Sequence, residues 1–141
     1  MDKLREECGV FGIYDPNGNV AHTAFHALVT LQHRGQKSCG IAVNFERDIR
    51  CHKGKGLVTE VFNDKRIFDE LEGTMAVGHV RYGSAKDEGP ENALPLVVRR
   101  YIKGNLAIVH NGSLVNTKEL EERYESEGAI YQTTSDAEII A

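Results

Sequence analysis

The apolar residues of this chain come in short runs, at 8–13, 39–43, 49–52, 75–82, 96–102 and 106–110. None approaches the roughly 18 residues of a membrane span, and all are bounded by glycine, proline and other turn formers, so they suit strands. Helical spacing fills the gaps. Val20, Ala24, Leu28 and Leu31 predict a helix over 20–33, with Gly35 where a left-handed cap would sit. Asn63-Asp64 predicts a start for a second helix running to 72, with Ile67, Phe68 and Leu71 on one face and Gly73 ending it. Asn116 and Glu119 have capping-box spacing, and Gly128 closes that third helix. Ser135, with Glu138 reaching back, starts a fourth at 136, and 129–133 reads as a strand before it. Turns are expected at 15–19, where Gly18 can take positive φ, and at 103–105, where Gly104 would join two strands into a hairpin. Residues 83–95, with two prolines, two glycines and several charges, have the composition of a mobile surface connection. The pattern is that of an α+β chain.

With 141 residues, 40% hydrophobic content and 14 glycines, the chain is expected to form one modest domain with its own core. The net charge of −4 is spread over interspersed acids and bases, which excludes a basic nucleic-acid face and favours a small-molecule substrate. Residues 1–7 lack the apolar core of a signal peptide, so a cytoplasmic protein without membrane association is expected. Cys8, Cys39 and Cys51 are an odd number without Cys-x-x-Cys spacing, which argues for reduced thiols and against a local zinc site. His22, His26 and His33 lack a third ligand at a telling spacing and are read as solvent-facing, with no metal. Because the sequence stops just after a helix-start signal, it is expected to be a fragment of a longer protein.

Cys8 carries the chemistry of interest. In its strand it is either a small packing residue or a nucleophile. A free α-amine titrates near pH 7.7–8 and can take the proton from its own residue's thiol. That requires removal of residues 1–7, because an amide nitrogen has no basic lone pair. The expected organisation is therefore a leader at 1–7 and a partial catalytic domain at 8–141.

Five blocks sharpen this reading: Glu7-Cys8-Gly9-Val10-Phe11-Gly12-Ile13, Leu31-Gln32-His33-Arg34-Gly35-Gln36, Gly78-His79-Val80-Arg81-Tyr82-Gly83, His110-Asn111-Gly112 and Thr133-Thr134-Ser135-Asp136. In this order they resemble the N-terminal class II glutaminase domain of the glutamine phosphoribosylpyrophosphate amidotransferases. The resemblance implies an N-terminal-nucleophile hydrolase, an αββα sandwich truncated here at its C-terminal side. It implies Cys8 as nucleophile and Asn111 and Gly112 as oxyanion donors. Arg81 would hold the α-carboxylate of glutamine with help from Ser84, and Asp136 the α-ammonium group, while Arg34 and Gly35 would support the nucleophile. By residue type alone these positions read as an Asn-Gly turn, a strand-end arginine, a first-turn acid and a helix cap.

The implied reaction is glutamine hydrolysis through a cysteinyl thioester, with ammonia passed to phosphoribosyl pyrophosphate to give phosphoribosylamine in purine synthesis. No cofactor is expected in this segment. Mg2+, an iron–sulfur cluster and a homo-oligomeric state would belong to the full-length protein. The chain departs from the family pattern at Lys37, where an acid is usual, at Leu94, where glutamine is usual, and in Gly83-Ser84-Ala85-Lys86. Two alternatives stay open: another class II amidotransferase such as glucosamine-6-phosphate synthase, and a non-catalytic glutamine-binding module.

Overall fold

The computed structural model describes residues 8–32, 36–82, 90–100 and 104–141. The proposed leader, Arg34, Gly35, Ser84 and Lys86 lie outside the described residues.

Four antiparallel strands, β1 (Cys8–Tyr14), β2 (Ser38–Phe45), β3 (Asp48–Lys55) and β4 (Met75–Arg81), form one sheet in the order β1-β4-β2-β3. Helix α1 (Val20–Leu31) covers one face. Because side chains alternate along a strand, Phe11 and Ile13 of β1, Cys39, Ile41 and Val43 of β2, and Ala76 and Val80 of β4 point to that face. They pack with Val20, Ala24 and Leu28 of α1. Each fully buried aliphatic side chain here contributes about 1.5–3 kcal/mol, so this layer fixes the register of the sheet. Asn19 caps α1, its side chain accepting the His22 N–H at 3.1 Å. His22 and His26 are exposed as expected, and His22 stacks on Phe68 at 4.3 Å.

The opposite face carries Cys8, His79, Arg81, Ser38, Gly40 and Lys53. A second antiparallel sheet pairs β5 (Leu96–Arg100) with β6 (Gly104–Ile108), and Gly104 takes the positive φ expected of it, 87°. Asp48, at the start of β3, accepts from Arg99 Nη1 at 2.6 Å and from Asn105 Nδ2 at 2.8 Å, joining the two sheets. The end of the connection read as a mobile surface loop is instead interior: Asn92, Ala93 and Leu94 are 3–4% exposed. Gly40 makes room for it. A Cβ there would lie 2.7 Å from both Pro95 Cδ and Lys53 Cβ. Leu94, the departure from the family's glutamine, is an apolar side chain in a buried position.

Several local expectations are corrected. A single-turn helix, α2 (Val58–Val61), precedes α3 (Lys65–Glu70), which starts on Asp64 as expected. Four residues are too few to show periodicity, and α2 is held by Val58 N–H donating to Gln32 Oε1 at 2.7 Å. Helix α4 (Thr117–Ser126) has no side-chain cap from Asn116, whose φ of −122° and ψ of 35° depart from the extended geometry typical of a capping residue. Residues 129–133 are not a strand, because Glu138 of α5 (Asp136–Ile140) takes the Gln132 and Thr133 N–H groups at 2.8 and 2.7 Å. Ser135 caps α5 through Ala137 N–H at 3.3 Å. Gly18 is not at positive φ; the Asp15 side chain folds against it and accepts from Asn17 N–H at 3.1 Å.

Candidate active site

Strand register builds the site. Cys8 pairs with Arg81, Arg81 with Ser38, and Ser38 with Lys55, so these four residues form one row across the sheet. Directly opposed residues have Cβ atoms about 4.5–5.5 Å apart. The Cys8 and Arg81 side chains therefore leave the same face side by side, away from the α1 layer. Cys8 is half-buried. The next row on this face is Val10, His79, Gly40 and Lys53.

The turn 110–112 lies against the start of β1. Asn111 Nδ2 donates to the Cys8 carbonyl at 2.9 Å. An amide NH2 has two hydrogens, so this bond leaves Asn111 a second donor. Gly112 sits at φ 136°, a conformation that side-chain-bearing residues rarely adopt. Behind the turn, His79 Nε2 lies 3.0 Å from the His110 carbonyl oxygen. A carbonyl only accepts, so Nε2 carries the proton. The His79 ring is 1% exposed. Its pKa is held down from 6.5 to about 4, by burial first, with the bond to the His110 backbone opposing and the Arg81 and His110 charges adding to the fall. His79 is thus neutral at neutral pH.

Arg81 is oriented from the other side. Its Nη1 donates to the Asn92 carbonyl at 2.9 Å. The Asn92 side chain binds Thr134 twice, Nδ2 to Oγ1 at 2.9 Å and Oδ1 from N–H at 3.2 Å. Lys53 Nζ grips the same segment through the Ala93 and Pro95 carbonyls at 2.7 and 3.0 Å. Asp136, two residues after Thr134, accepts from Leu114 N–H at 2.6 Å and Thr117 Oγ1 at 3.2 Å. Three segments, 92–95, 110–114 and 133–136, are in this way tied to one another and to the Cys8–Arg81 row. At Lys37 the backbone N–H donates to the Arg81 carbonyl at 2.8 Å, so its place beside the site is set by main chain.

Of the residues singled out in the sequence, Cys8, Arg81, Asn111 and Gly112 are gathered at one end of the sheet. Asp136 joins them through Leu114 and Thr117. Asn92, Lys53 and His79 were not given roles. For Asn92 the signal is its place two residues before Leu94, a departure from the family pattern; for Lys53 there is none, because its partners are backbone carbonyls about forty positions away.

Chemically, such a cluster offers a thiol, amide donors beside it and a guanidinium one register position away. That is a set suited to attack on a carbonyl carbon of a substrate bearing a carboxylate. The described arrangement agrees with known proteins. The amidophosphoribosyltransferase of Bacillus subtilis strain 168 is 44% identical over 138 residues, which cover 98% of this chain and 29% of that protein. That of Archaeoglobus fulgidus is 48% identical over 135 residues, 95% of this chain and 29% of the relative. Among solved structures, one described as the allosteric regulatory enzyme of purine biosynthesis superposes with a TM-score of 0.83 at 41% identity, over 93% of this chain and 28% of the other. The glutamine phosphoribosylpyrophosphate amidotransferase of B. subtilis, complexed with ADP and GMP, gives 0.82 at 40% identity with the same coverage. The chain thus spans under a third of the length of these relatives. Its fold is that of an N-terminal-nucleophile hydrolase, with two antiparallel sheets as expected. Residues 63–141 match the pattern of the glutamine amidotransferase domain, and with the fold and register above, the chain belongs to that family.

Proposed function

We propose that this chain is the glutamine-hydrolysing part of an enzyme that delivers ammonia to phosphoribosyl pyrophosphate, forming phosphoribosylamine for purine synthesis. The observation that carries the reading is the cross-strand pairing of Cys8 with Arg81 beside the Asn111–Cys8 hydrogen bond. It puts a thiol, a guanidinium and an amide donor around one small volume, which supports reading them as nucleophile, carboxylate-binding cation and oxyanion donor. The amidophosphoribosyltransferases at 41–48% identity support the choice of acceptor.

In this mechanism residues 1–7 are removed, and the freed Cys8 amine takes the thiol proton as Sγ attacks the glutamine carboxamide. The tetrahedral oxyanion accepts hydrogen bonds from the second Nδ2 hydrogen of Asn111 and from the Gly112 N–H. Collapse breaks the C–N bond, and the proton held on the Cys8 amine passes to the departing ammonia. Water, deprotonated by the same amine, then hydrolyses the glutamyl thioester to glutamate and restores the thiol. Arg81, helped by Ser84, holds the α-carboxylate, and Asp136, whose oxygens have lone pairs beyond those used by Leu114 and Thr117, holds the α-ammonium group. Arg34 and Gly35 support the nucleophile.

The test is glutaminase turnover in the intact protein that carries this chain. Cys8→Ala should abolish ammonia release, and Asn111→Ala should lower kcat by about 100- to 1,000-fold. Intact mass of the protein from its natural source should show a chain beginning at Cys8. Glutamine binding without ammonia release, or a retained leader in active protein, would overturn the mechanism.

A further inference from the structure

The sheet contributes more to the turn 110–112 than the Asn111–Cys8 bond. His79 is 1% exposed, and its Nε2–H crosses from β4 to the His110 carbonyl at 3.0 Å. Its Nδ1 has no hydrogen-bond partner among the described residues. A buried nitrogen left unpaired is unfavourable, so a position serving only to fill space would be better occupied by an apolar side chain. What the imidazole supplies that a leucine cannot is one N–H directed at one carbonyl.

That carbonyl belongs to the peptide unit joining His110 to Asn111. A trans peptide is planar, so fixing its oxygen fixes the plane from which the Asn111 Cα and side chain depart. Gly112, at φ 136°, continues the turn. The turn is therefore gripped at two points from two strands: at the His110 carbonyl by β4 and at the Asn111 side chain by β1. Both strands end in the Cys8–Arg81 row.

We infer that His79 is a positioning residue for the oxyanion turn, holding the His110–Asn111 peptide so that Asn111 and Gly112 meet the developing charge on the substrate. This inference rests on the reading of those two residues as oxyanion donors. Misplacing such donors by about 1 Å costs roughly 100-fold in rate, and the loss should fall on kcat because the charge exists only in the transition state.

Steady-state glutaminase kinetics on the intact protein test this with four variants. His79→Leu and His79→Phe remove the N–H; His79→Gln returns an amide N–H at similar reach; Cys8→Ala controls for the chemistry. The donor-free variants should lose about 100-fold in kcat with KM within about twofold, and His79→Gln should recover most of the loss. Iodoacetamide, which alkylates by direct displacement and builds no oxyanion, should modify Cys8 at the wild-type rate in every folded His79 variant. A donor-free variant with wild-type kcat overturns the inference. So does equal impairment of Gln, Leu and Phe, or failure of both donor-free variants to fold, since the role would then be structural. Turnover surviving in Cys8→Ala overturns the underlying reading instead.

Discussion

Protonation of His79 should make this domain sensitive to mild acid, by an amount that can be worked out. Unfolded, the imidazole titrates near 6.5; folded, burial first and then the Arg81 and His110 charges hold it at about 4. Between those values the unfolded chain binds the proton more readily, so stability falls as pH is lowered. The contribution is fully present above 6.5, declines through the window, and is exhausted below 4. The whole shift is worth about 3 kcal/mol, and from about pH 7.5 to about pH 5 the loss is about 2 kcal/mol. Carboxylates titrating in the same range would obscure this in the wild type alone, so the comparison is with His79→Gln, which keeps an N–H and cannot charge. Urea denaturation of both proteins at the two pH values gives four free energies. The wild type should lose about 2 kcal/mol more than the variant. Equal losses would refute the claim that His79 is held neutral by burial, and a ring titration near 6.5 by NMR would refute it directly.

Gly40→Ala should destabilise the domain by about 1–3 kcal/mol, because its methyl would sit 2.7 Å from Pro95 Cδ and Lys53 Cβ. Denaturation measures that cost, and a raised KM for glutamine should accompany it, since lifting 92–95 disturbs the carbonyl that orients Arg81. Asn92→Ala leaves the Thr134 N–H and hydroxyl without their partner and should cost about 1–3 kcal/mol; it too should raise KM more than it lowers kcat. Cys39 is fully buried, with its thiol pushed up to about 12 by burial, the Gln36 hydrogen bond opposing and Glu60 adding. Thiol labelling near neutral pH should reach Cys8 in the native protein and Cys39 only on unfolding, and native-state labelling of Cys39 would contradict its place in the core.

The secondary structure was readable wherever one physical signal dominated. The strands at 8–14, 38–45 and 75–81 are apolar runs between turn formers, and α1 shows its helical stripe of Val20, Ala24 and Leu28. Expectations failed where a distant residue outbid a local signal. The N–H groups of 129–133 look strand-like until Glu138 takes two of them, and residues 83–95 look like a surface connection until Gly40 and Lys53 draw their C-terminal end inside.

The sequence by itself determined the alternation that puts Phe11, Ile13, Ala76 and Val80 under α1, and hence that Cys8 and Arg81 point away from it. Their motifs also named the residues to watch. Tertiary structure alone decided that Cys8 and Arg81 are directly opposed, that Asn111 reaches the Cys8 carbonyl across about a hundred positions of chain, and that His79, Asn92 and Lys53 hold the site together. Most of these contacts are hydrogen bonds between a side chain and backbone groups far away in sequence, several of them carbonyls. A carbonyl carries no side-chain signature, so its partner becomes visible only when the chain has folded.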